Sequence, residues 1–225
     1  MKYKDLENEW SLRWIQFILD TPDKDWDWGN ISSNPNLTWE IIQDNPNKEW
    51  NWVRLSNNSN ITWEIIRDNP DKDWDWFNIS KHPNITWKII QDNPDKTGFW
   101  WTDRYIMWGD KKWDWESISL NQNITWDIIE ANPDKQWKWD WLSANPNITC
   151  EIIQANPDKM WDWKAVSSNK NITWDFILAN PDKKWDWRFV SKNQNITWEI
   201  VHGNPGKPWR WDWLSSNPNI TWEII

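Results

Sequence analysis

The apolar residues of this chain recur at a fixed interval. An Ile or Leu that precedes a Thr recurs every 24 residues, except for one step of 39, which is one period plus 15. These residues are Leu37, Ile61, Ile85, Ile124, Ile148, Ile172, Ile196 and Ile220. A period of this length is typical of repeat proteins, in which each copy packs against its neighbours. We therefore expect residues 1–225 to form a single repeat domain.

Each 24-residue copy has two halves, and each half predicts a short helix. In one half a Thr such as Thr38 is followed by Trp-Glu-Ile-Ile and then by a Pro, which predicts a capped helix of about two turns. The other half begins with Asn-Pro, as at Asn45-Pro46, and these residues favour the N-cap and first helical position. That half predicts a helix of about ten residues that runs through Trp-x-Trp. Short helices that are apolar on most sides must be sandwiched, so the pattern predicts an all-α solenoid of helix pairs.

A β-solenoid is the alternative fold. Asp-Trp-Asp-Trp and Ile-Thr-Trp-Glu-Ile both alternate with a period of two, and Trp and Ile are common in strands. A Pro in nearly every copy, and a Glu-Ile-Ile-Gln continuation that breaks the alternation, favour helices.

The two ends of the chain differ from the repeats. Residues 1–36 contain a degenerate unit, with Trp14-Ile15-Gln16-Phe17-Ile18 in place of Thr-Trp-Glu-Ile-Ile. The charged run before it predicts a capping unit, and the 24-residue repeats occupy residues 37–225. The sequence stops at Ile225, within a copy. We expect that the last half-copy either closes the stack or mediates self-association.

Tryptophan carries much of the apolar load. The chain has 30 Trp residues, and most of them lie in the Ile-Thr-Trp and Trp-x-Trp positions. An aromatic residue in constant register is most simply a packing residue. However, Trp50, Trp74 and Trp113 fall off the main apolar stripe of the predicted helix. If exposed, they would form a ladder on which sugar rings stack, so a carbohydrate-binding module is the alternative function.

Charge and the lack of long apolar runs limit the partners. The net charge of −9 argues against nucleic-acid binding, which requires a basic face. Lysines in register, such as Lys72, follow acidic residues and predict a solvated edge. No secretory signal and no run of about 20 apolar residues is present, so we expect no membrane segment and an intracellular location.

Residues capable of catalysis are scarce. Cys150 is the only cysteine and occupies a Trp position, with no base nearby in the sequence. His82 and His202 are too many repeats apart to share a metal ion. The recurrent Glu after Ile-Thr-Trp is a Lys at Lys88, which is typical of a solvated position. We therefore predict no enzymatic activity, no cofactor and no metal.

One insertion, residues 97–111, interrupts the repeats and is rich in aromatic residues. Its candidate interaction residues are Phe99, Trp100, Trp101, Arg104, Tyr105, Met107 and Trp108. Aromatic residues, Met and Arg are enriched at interface hot spots, and insertions in solenoids often lie on a binding face. The alternative is that the loop folds back and buries its own aromatic side chains on the stack.

The fixed order of Asn-Pro, Ile-Thr-Trp-Glu-Ile-Ile and Trp-Asp-Trp resembles a known family over roughly residues 20–225. It is similar to the Trp-rich tandem repeats in proteins of giant DNA viruses, the mimivirus relatives that infect amoebae and other protists. That resemblance implies a viral protein of the host cytoplasm or virion and no particular activity. More distantly, the spacing is similar to the leucine-rich repeat variant, a right-handed solenoid of α- and 3₁₀-helices. We expect a non-catalytic scaffold that binds an unidentified protein partner or has a structural role.

Overall fold

A computed structural model describes residues 13–21, 23–94 and 113–221. They fall into two compact units, one that ends at Asp114 and one that begins at Trp115. In the first unit, residues 13–20 are helical, followed by α1 (Trp28–Ser32), α2 (Trp39–Asp44), α3 (Trp52–Leu55), α4 (Trp63–Asp68), α5 (Trp76–Lys81) and α6 (Trp87–Asp92). In the second they are α7 (Trp115–Leu120), α8 (Trp126–Ala131), α9 (Trp139–Leu142), α10 (Cys150–Ala155), α11 (Trp163–Ser168), α12 (Trp174–Ala179), α13 (Trp187–Lys192), α14 (Trp198–Gly203) and α15 (Trp211–Leu214).

All regular secondary structure in these three segments is helical, so the all-α prediction is confirmed there and the β alternative is wrong. Within the same segments, no helix is both long enough and apolar enough to cross a membrane.

The first helix of each repeat begins where the Thr predicts. Thr38 has extended backbone angles and its side chain accepts a hydrogen bond from the Ile41 N–H, as an N-cap does. The helix that follows, α2, has six residues, close to the two turns expected. The prediction for this half of the repeat is confirmed.

The second helix begins later than the sequence suggests. Asn45 does not open it: Asn45 is the C-cap of α2, and its Nδ2 donates to the Ile41 carbonyl at 2.9 Å. Helix α3 begins at Trp52 instead, where the side chain of Asn51 accepts from the Arg54 N–H. The prediction of a ten-residue helix from Asn-Pro was wrong because Pro is also common just after a helix C-cap, which is its place here.

A turn and an extended segment join the two helices of a repeat. The Lys48 N–H donates to the Asn45 carbonyl at 3.3 Å, and the Trp50 N–H donates to the Lys48 carbonyl at 2.8 Å. The Trp50 side chain then folds back, and its indole Nε1–H donates to the same Asn45 carbonyl at 2.9 Å. The first Trp of Trp-x-Trp is thus fixed by a hydrogen bond and points inwards.

The periodic Ile and Leu residues form the core. Leu37, Ile61, Ile85, Ile124, Ile148, Ile172 and Ile196 have exposures of 1% or less. The last turn of each second helix adds a similarly buried residue, for example Leu55, Ile79 and Val166.

The insertion leaves the repeat register intact on its two sides. After it, Trp113 donates its indole N–H to the Asn93 carbonyl at 2.7 Å, which is the bond that Trp74 makes to Asn69 without an insertion. The Asp114 N–H donates to the Ser80 Oγ at 2.9 Å, as the Asp75 N–H does to Ser56. The additional 15 residues therefore enter at the turn between two helices.

Candidate interaction surfaces

The predicted interaction loop lies outside the described residues. Its seven residues, Phe99, Trp100, Trp101, Arg104, Tyr105, Met107 and Trp108, fall between 95 and 112. Their role in binding stays a prediction.

The ladder of exposed tryptophans does not exist at the positions expected. Trp50, Trp74 and Trp113 are only 8%, 8% and 4% exposed. The condition on which the sugar-binding alternative depended, exposure of these side chains, is therefore not met at these three positions. The residues lie in the extended segment before the second helix, and not on a helix as the sequence had suggested. A sugar ring needs an accessible aromatic face, which these three side chains lack.

From Trp50 onwards, the first indole of each Trp-x-Trp packs against a tryptophan of the preceding repeat. Trp50 meets Trp28 edge to face, with ring centroids 5.1 Å apart and an interplanar angle of 87°. The pairs Trp52–Trp74, Trp76–Trp113, Trp115–Trp137, Trp139–Trp161, Trp163–Trp185 and Trp187–Trp209 have the same T-shaped geometry. This is a favoured arrangement of aromatic rings in cores, so the main role of these residues is packing.

A serine near the end of each second helix joins one repeat to the next. The Ser143 Oγ donates to the Trp139 carbonyl at 2.6 Å and accepts from the Asp162 N–H at 2.9 Å. Accepting serines recur at Ser32, Ser56, Ser80, Ser119, Ser167 and Ser191.

Two asparagines per repeat form further bonds to the preceding repeat. The Asn169 Nδ2 lies 3.1, 3.0 and 3.2 Å from the carbonyl oxygens of Ser143, Asn145 and Ile148. The Asn169 Oδ1 accepts from the Asn171 N–H at 2.9 Å. The Asn171 Nδ2 in turn donates to two carbonyls, including that of Pro146 at 2.8 Å.

These roles of Ser and Asn were not predicted from the sequence. The recurrence of both residue types at the same position in each repeat could have indicated them. Asn171 also lies in an Asn-Ile-Thr glycosylation sequon. Its side-chain nitrogen, to which a glycan would be attached, instead donates hydrogen bonds to two carbonyls of the preceding repeat.

The residues considered for catalysis have structural partners. The buried His82 replaces the first Asn: its Nε2 lies 3.1 Å from the Asn58 carbonyl, and its Nδ1 accepts from the Asn84 N–H at 3.2 Å. Burial lowers the pKa of His82, which favours the neutral ring that this pattern requires. The buried Cys150 directs its Sγ at the Asn171 carbonyl, 3.4 Å away. In the segments described, no group of three His, Cys, Asp or Glu side chains is arranged to hold a metal ion.

A basic groove crosses three successive repeats in the second unit. It is open and shallow, with a volume of about 320 Å³, and is lined by Lys164, Lys184, Trp185, Asp186, Trp187, Arg188 and Arg210. The name basic groove refers below to these seven lining residues. The groove is not evident from the sequence because the chain as a whole is acidic and the cations come from three copies.

Two of the four cations in the basic groove are paired with carboxylates. Arg188 holds Asp186 through two contacts, Nη2 to Oδ2 at 2.6 Å and Nε to Oδ1 at 3.0 Å, which lowers the pKa of the Asp186 carboxyl. Arg210 likewise pairs with Asp212 at 3.1 Å and lowers its pKa. Lys164 and Lys184 are exposed and form no close ion pair with a described carboxylate, although Lys164 also attracts the Asp186 carboxylate and helps to lower its pKa. Four cations thus face Asp186 within the groove and Asp212 beside it, which leaves a positive balance of two charges.

A second groove lies in the first unit and has no such charge excess. It is lined by Ile18, Lys24, Asp25, Trp26, Trp28, Asn47, Lys48 and Glu49, two cations and two carboxylates.

Comparisons of the chain with known protein families, with characterised proteins and with solved structures found no match.

Proposed function

We propose that the chain is a non-catalytic solenoid scaffold that binds a protein partner. The observation that supports this most directly is the recurrence of identical hydrogen bonds at the repeat spacing. Asn145, Asn169 and Asn217 each donate to carbonyls 24 and 26 residues earlier, within one compact unit. Repeats that make the same contacts with each neighbour stack in one dimension, and such stacks commonly serve as extended binding surfaces.

The fate of the polar side chains supports a non-catalytic role. Catalysis requires a nucleophile, acid or base that is free to act on a substrate. His82 and Cys150 instead satisfy the backbone of neighbouring repeats. The recurrent carboxylates at Glu64, Glu151 and Glu199 bond the N-cap Thr and the first helical turn, which lowers their pKa values.

The division between constant and variable positions supports a binding role. The positions that bond successive repeats are Ser and Asn along the chain, with His82 as an exception, whereas outward positions range from Val53 and Phe77 to Lys164 and Arg188. A constant frame with a varied surface suits recognition of a partner. The resemblance to the repeats of giant DNA viruses supports a viral origin, with the host cytoplasm or virion as the place of action.

Affinity purification from a lysate of a protist host tests this proposal. The full chain is compared with a variant that lacks Thr97–Lys111, a deletion that restores the 24-residue period. We expect proteins that are retained by the full chain and displaced by excess untagged chain. Loss of these proteins with the deletion would assign binding to the insertion, and their retention would assign it to the repeats. Absence of any specifically displaced protein would overturn the proposal.

Self-association through the last copy, residues 217–225, stays a prediction. Light scattering over a range of concentrations tests it, because only an associating chain gains mass as its concentration rises.

A further inference from the structure

We propose that the basic groove binds an extended, carboxylate-rich peptide segment of a partner protein. This inference rests on the proposed function and names the surface and the chemistry of its ligand. The groove holds Lys184 exposed and without an ion pair to a described carboxylate, and Lys164 exposed with only an electrostatic attraction to Asp186, in a chain whose net charge is −9. Opposite charge at such a surface steers and selects an anionic partner.

The fold does not require basic residues at the groove. Lys164 and Arg188 occupy one repeat position, which is Gly29, Val53, Phe77, Glu116, Asp140 or Asp212 in the other copies. The position of Lys184 is Asp25, Glu49, Asp73, Lys112, Gln136, Met160 or Pro208 elsewhere. Since these positions accept acidic, apolar and small residues, three cations that converge on one groove are not a consequence of packing.

The cations also stand where the local structure favours the opposite charge. Arg210 is the N-cap of α15 and makes no side-chain cap, whereas Asp162 and Asp186 cap α11 and α13. Lys164 and Arg188 lie in the first turns of α11 and α13, close to the positive ends of these helices. Arg188 offsets this through its ion pair with Asp186, and Lys164 does so less directly, through a weaker attraction to the same carboxylate.

The shape of the groove favours an extended chain over a small molecule. A typical small-molecule site encloses most of its ligand, whereas this groove is open and spans three repeats. Trp185 and Trp187 are half-buried and offer apolar surface between the charges. A peptide that alternates carboxylates with apolar side chains matches both features. A nucleic acid fits less well because its dense phosphates would approach a chain of net charge −9.

Fluorescence anisotropy with the full chain tests the proposal. The probe is a fluorescein-labelled peptide of about ten residues that alternates glutamate with alanine. The control probes are the same peptide with glutamine for glutamate, and an oligothymidylate of equal length. The test variant is Lys164→Glu/Lys184→Glu. The control variant is Lys170→Glu/Lys192→Glu, which makes the same change in net charge at two exposed lysines of the same unit.

We expect the wild type and the control variant to bind the glutamate peptide alike, and the test variant to bind it about tenfold or more weakly. Binding should weaken as salt is added. Equal loss in both variants, equal binding of the glutamine peptide, or tighter binding of the oligothymidylate would each overturn the proposal.

The lysate experiment separates this inference from the proposed function. If the Lys164→Glu/Lys184→Glu variant retains the same displaceable proteins as the wild type, the groove is not the binding surface, although the scaffold function stands. If the wild type retains none, the scaffold function itself fails.

Discussion

A histidine can replace the asparagine that opens each repeat because its two ring nitrogens supply one donor and one acceptor. In Asn169 the amide Nδ2 donates to the preceding repeat and Oδ1 accepts from the chain two residues later. The neutral ring of His82 makes the same two bonds, with Nε2 facing Asn58 and Nδ1 facing the Asn84 N–H. A second proton on the ring would have to bind Nδ1, which accepts the hydrogen bond from the Asn84 N–H, so protonation would break that bond.

Acid should therefore destabilise the wild type more than the variant His82→Asn. Burial lowers the folded-state pKa of His82 below the unfolded value of about 6.5. Stability from the neutral ring is then fully present above about pH 6.5 and is lost as pH falls towards the folded-state pKa, by at most about 1.4 kcal/mol per pH unit. Urea unfolding between pH 8 and 5 measures this. Since both proteins share the same carboxylates, parallel pH profiles would contradict the prediction.

The asparagine amides should not tolerate replacement by carboxylates. In Asn169→Asp the carboxylate would face three carbonyl oxygens and lose the donor that satisfies them. We expect a loss of about 3 kcal/mol or more in the free energy of unfolding, because buried acceptors lose partners and a charge is buried. The control is Asn47→Asp at an exposed position that is Asp71, Asp134 or Asp158 in other copies. Denaturant titration of both variants provides the comparison, and equal losses would count against the role assigned to Asn169.

At the scale of elements, the sequence predicted one of the two helices in each repeat correctly. Thr38 followed by an apolar run has one good interpretation, a capped helix. Asn45-Pro46 has two, because Asn and Pro suit both the start of a helix and the residues after its end. The hydrogen bond from the Asn45 side chain to Ile41 decides between them, and it depends on the helix that precedes it. The better signal for the second start was the Asp or Asn before the second Trp, such as Asp75.

The first-turn caps of these helices give a stability prediction. Lys138 is the N-cap of α9 and its side chain makes no capping bond, whereas Asp75 and Asp162 cap the equivalent helices. Lys138→Asp should raise the free energy of unfolding by about 1 kcal/mol. Thermal or urea unfolding measures it against Lys170→Asp, which makes the same charge change at an exposed turn. An equal gain in both variants would point to net charge, not to capping.

Substitutions at Cys150 and Phe176 should have coupled effects on stability. In other repeats the Trp of the first helix contacts the buried Trp of the next copy, as Trp126 does Trp161 at 5.9 Å. Cys150 occupies that Trp position, and Phe176 from the next copy instead meets Trp185 edge to face at 6.0 Å. Phe176 stands where other copies have an Ile, such as Ile152, so the larger residue fills space that the smaller one leaves.

A double-mutant cycle tests this dependence. Phe176→Ile should leave a void and Cys150→Trp should overfill the site, each at a cost of about 1–3 kcal/mol. The double variant should cost at least about 1 kcal/mol less than the sum. Additive losses, measured by urea unfolding, would show that the two sites do not interact.

At the scale of the whole molecule, the period predicted the core but not the basic groove. Burial of one Ile or Leu per copy follows directly from the spacing. The groove forms where residues of three copies come together. These residues lie at and after the turn and extended segment for which the sequence predicted a helix, so their positions could not be derived from it. Its charges are also local, and a composition summed over 225 residues hides them. The insertion stays a prediction because its residues lie outside the described segments.

The repeat register should make the chain tolerant of losing a whole copy. Deletion of residues 145–168 joins Ala144 to Asn169 and restores every repeat position, so Asn169 meets the carbonyls of the copy before it. Deletion of residues 145–156 brings half-copies together and places the Asn donors and the Ser acceptors against the wrong partners. We expect cooperative thermal unfolding for the first variant and its loss for the second, monitored by circular dichroism. Similar behaviour of both would show that register does not govern packing.

Within each compact unit, the serine and asparagine bonds between copies described above run in one direction along the chain. Asn58 donates to Ser32, and the Asp75 N–H donates to Ser56, so in each case the donor belongs to the later copy and the acceptor to the earlier one. Within each compact unit the junctions therefore pair the same kinds of donor and acceptor, with His82 in place of Asn at one of them. Gene duplication that adds or removes copies in frame would create no new kind of junction, so array length can change in evolution while the chemistry of every boundary stays the same.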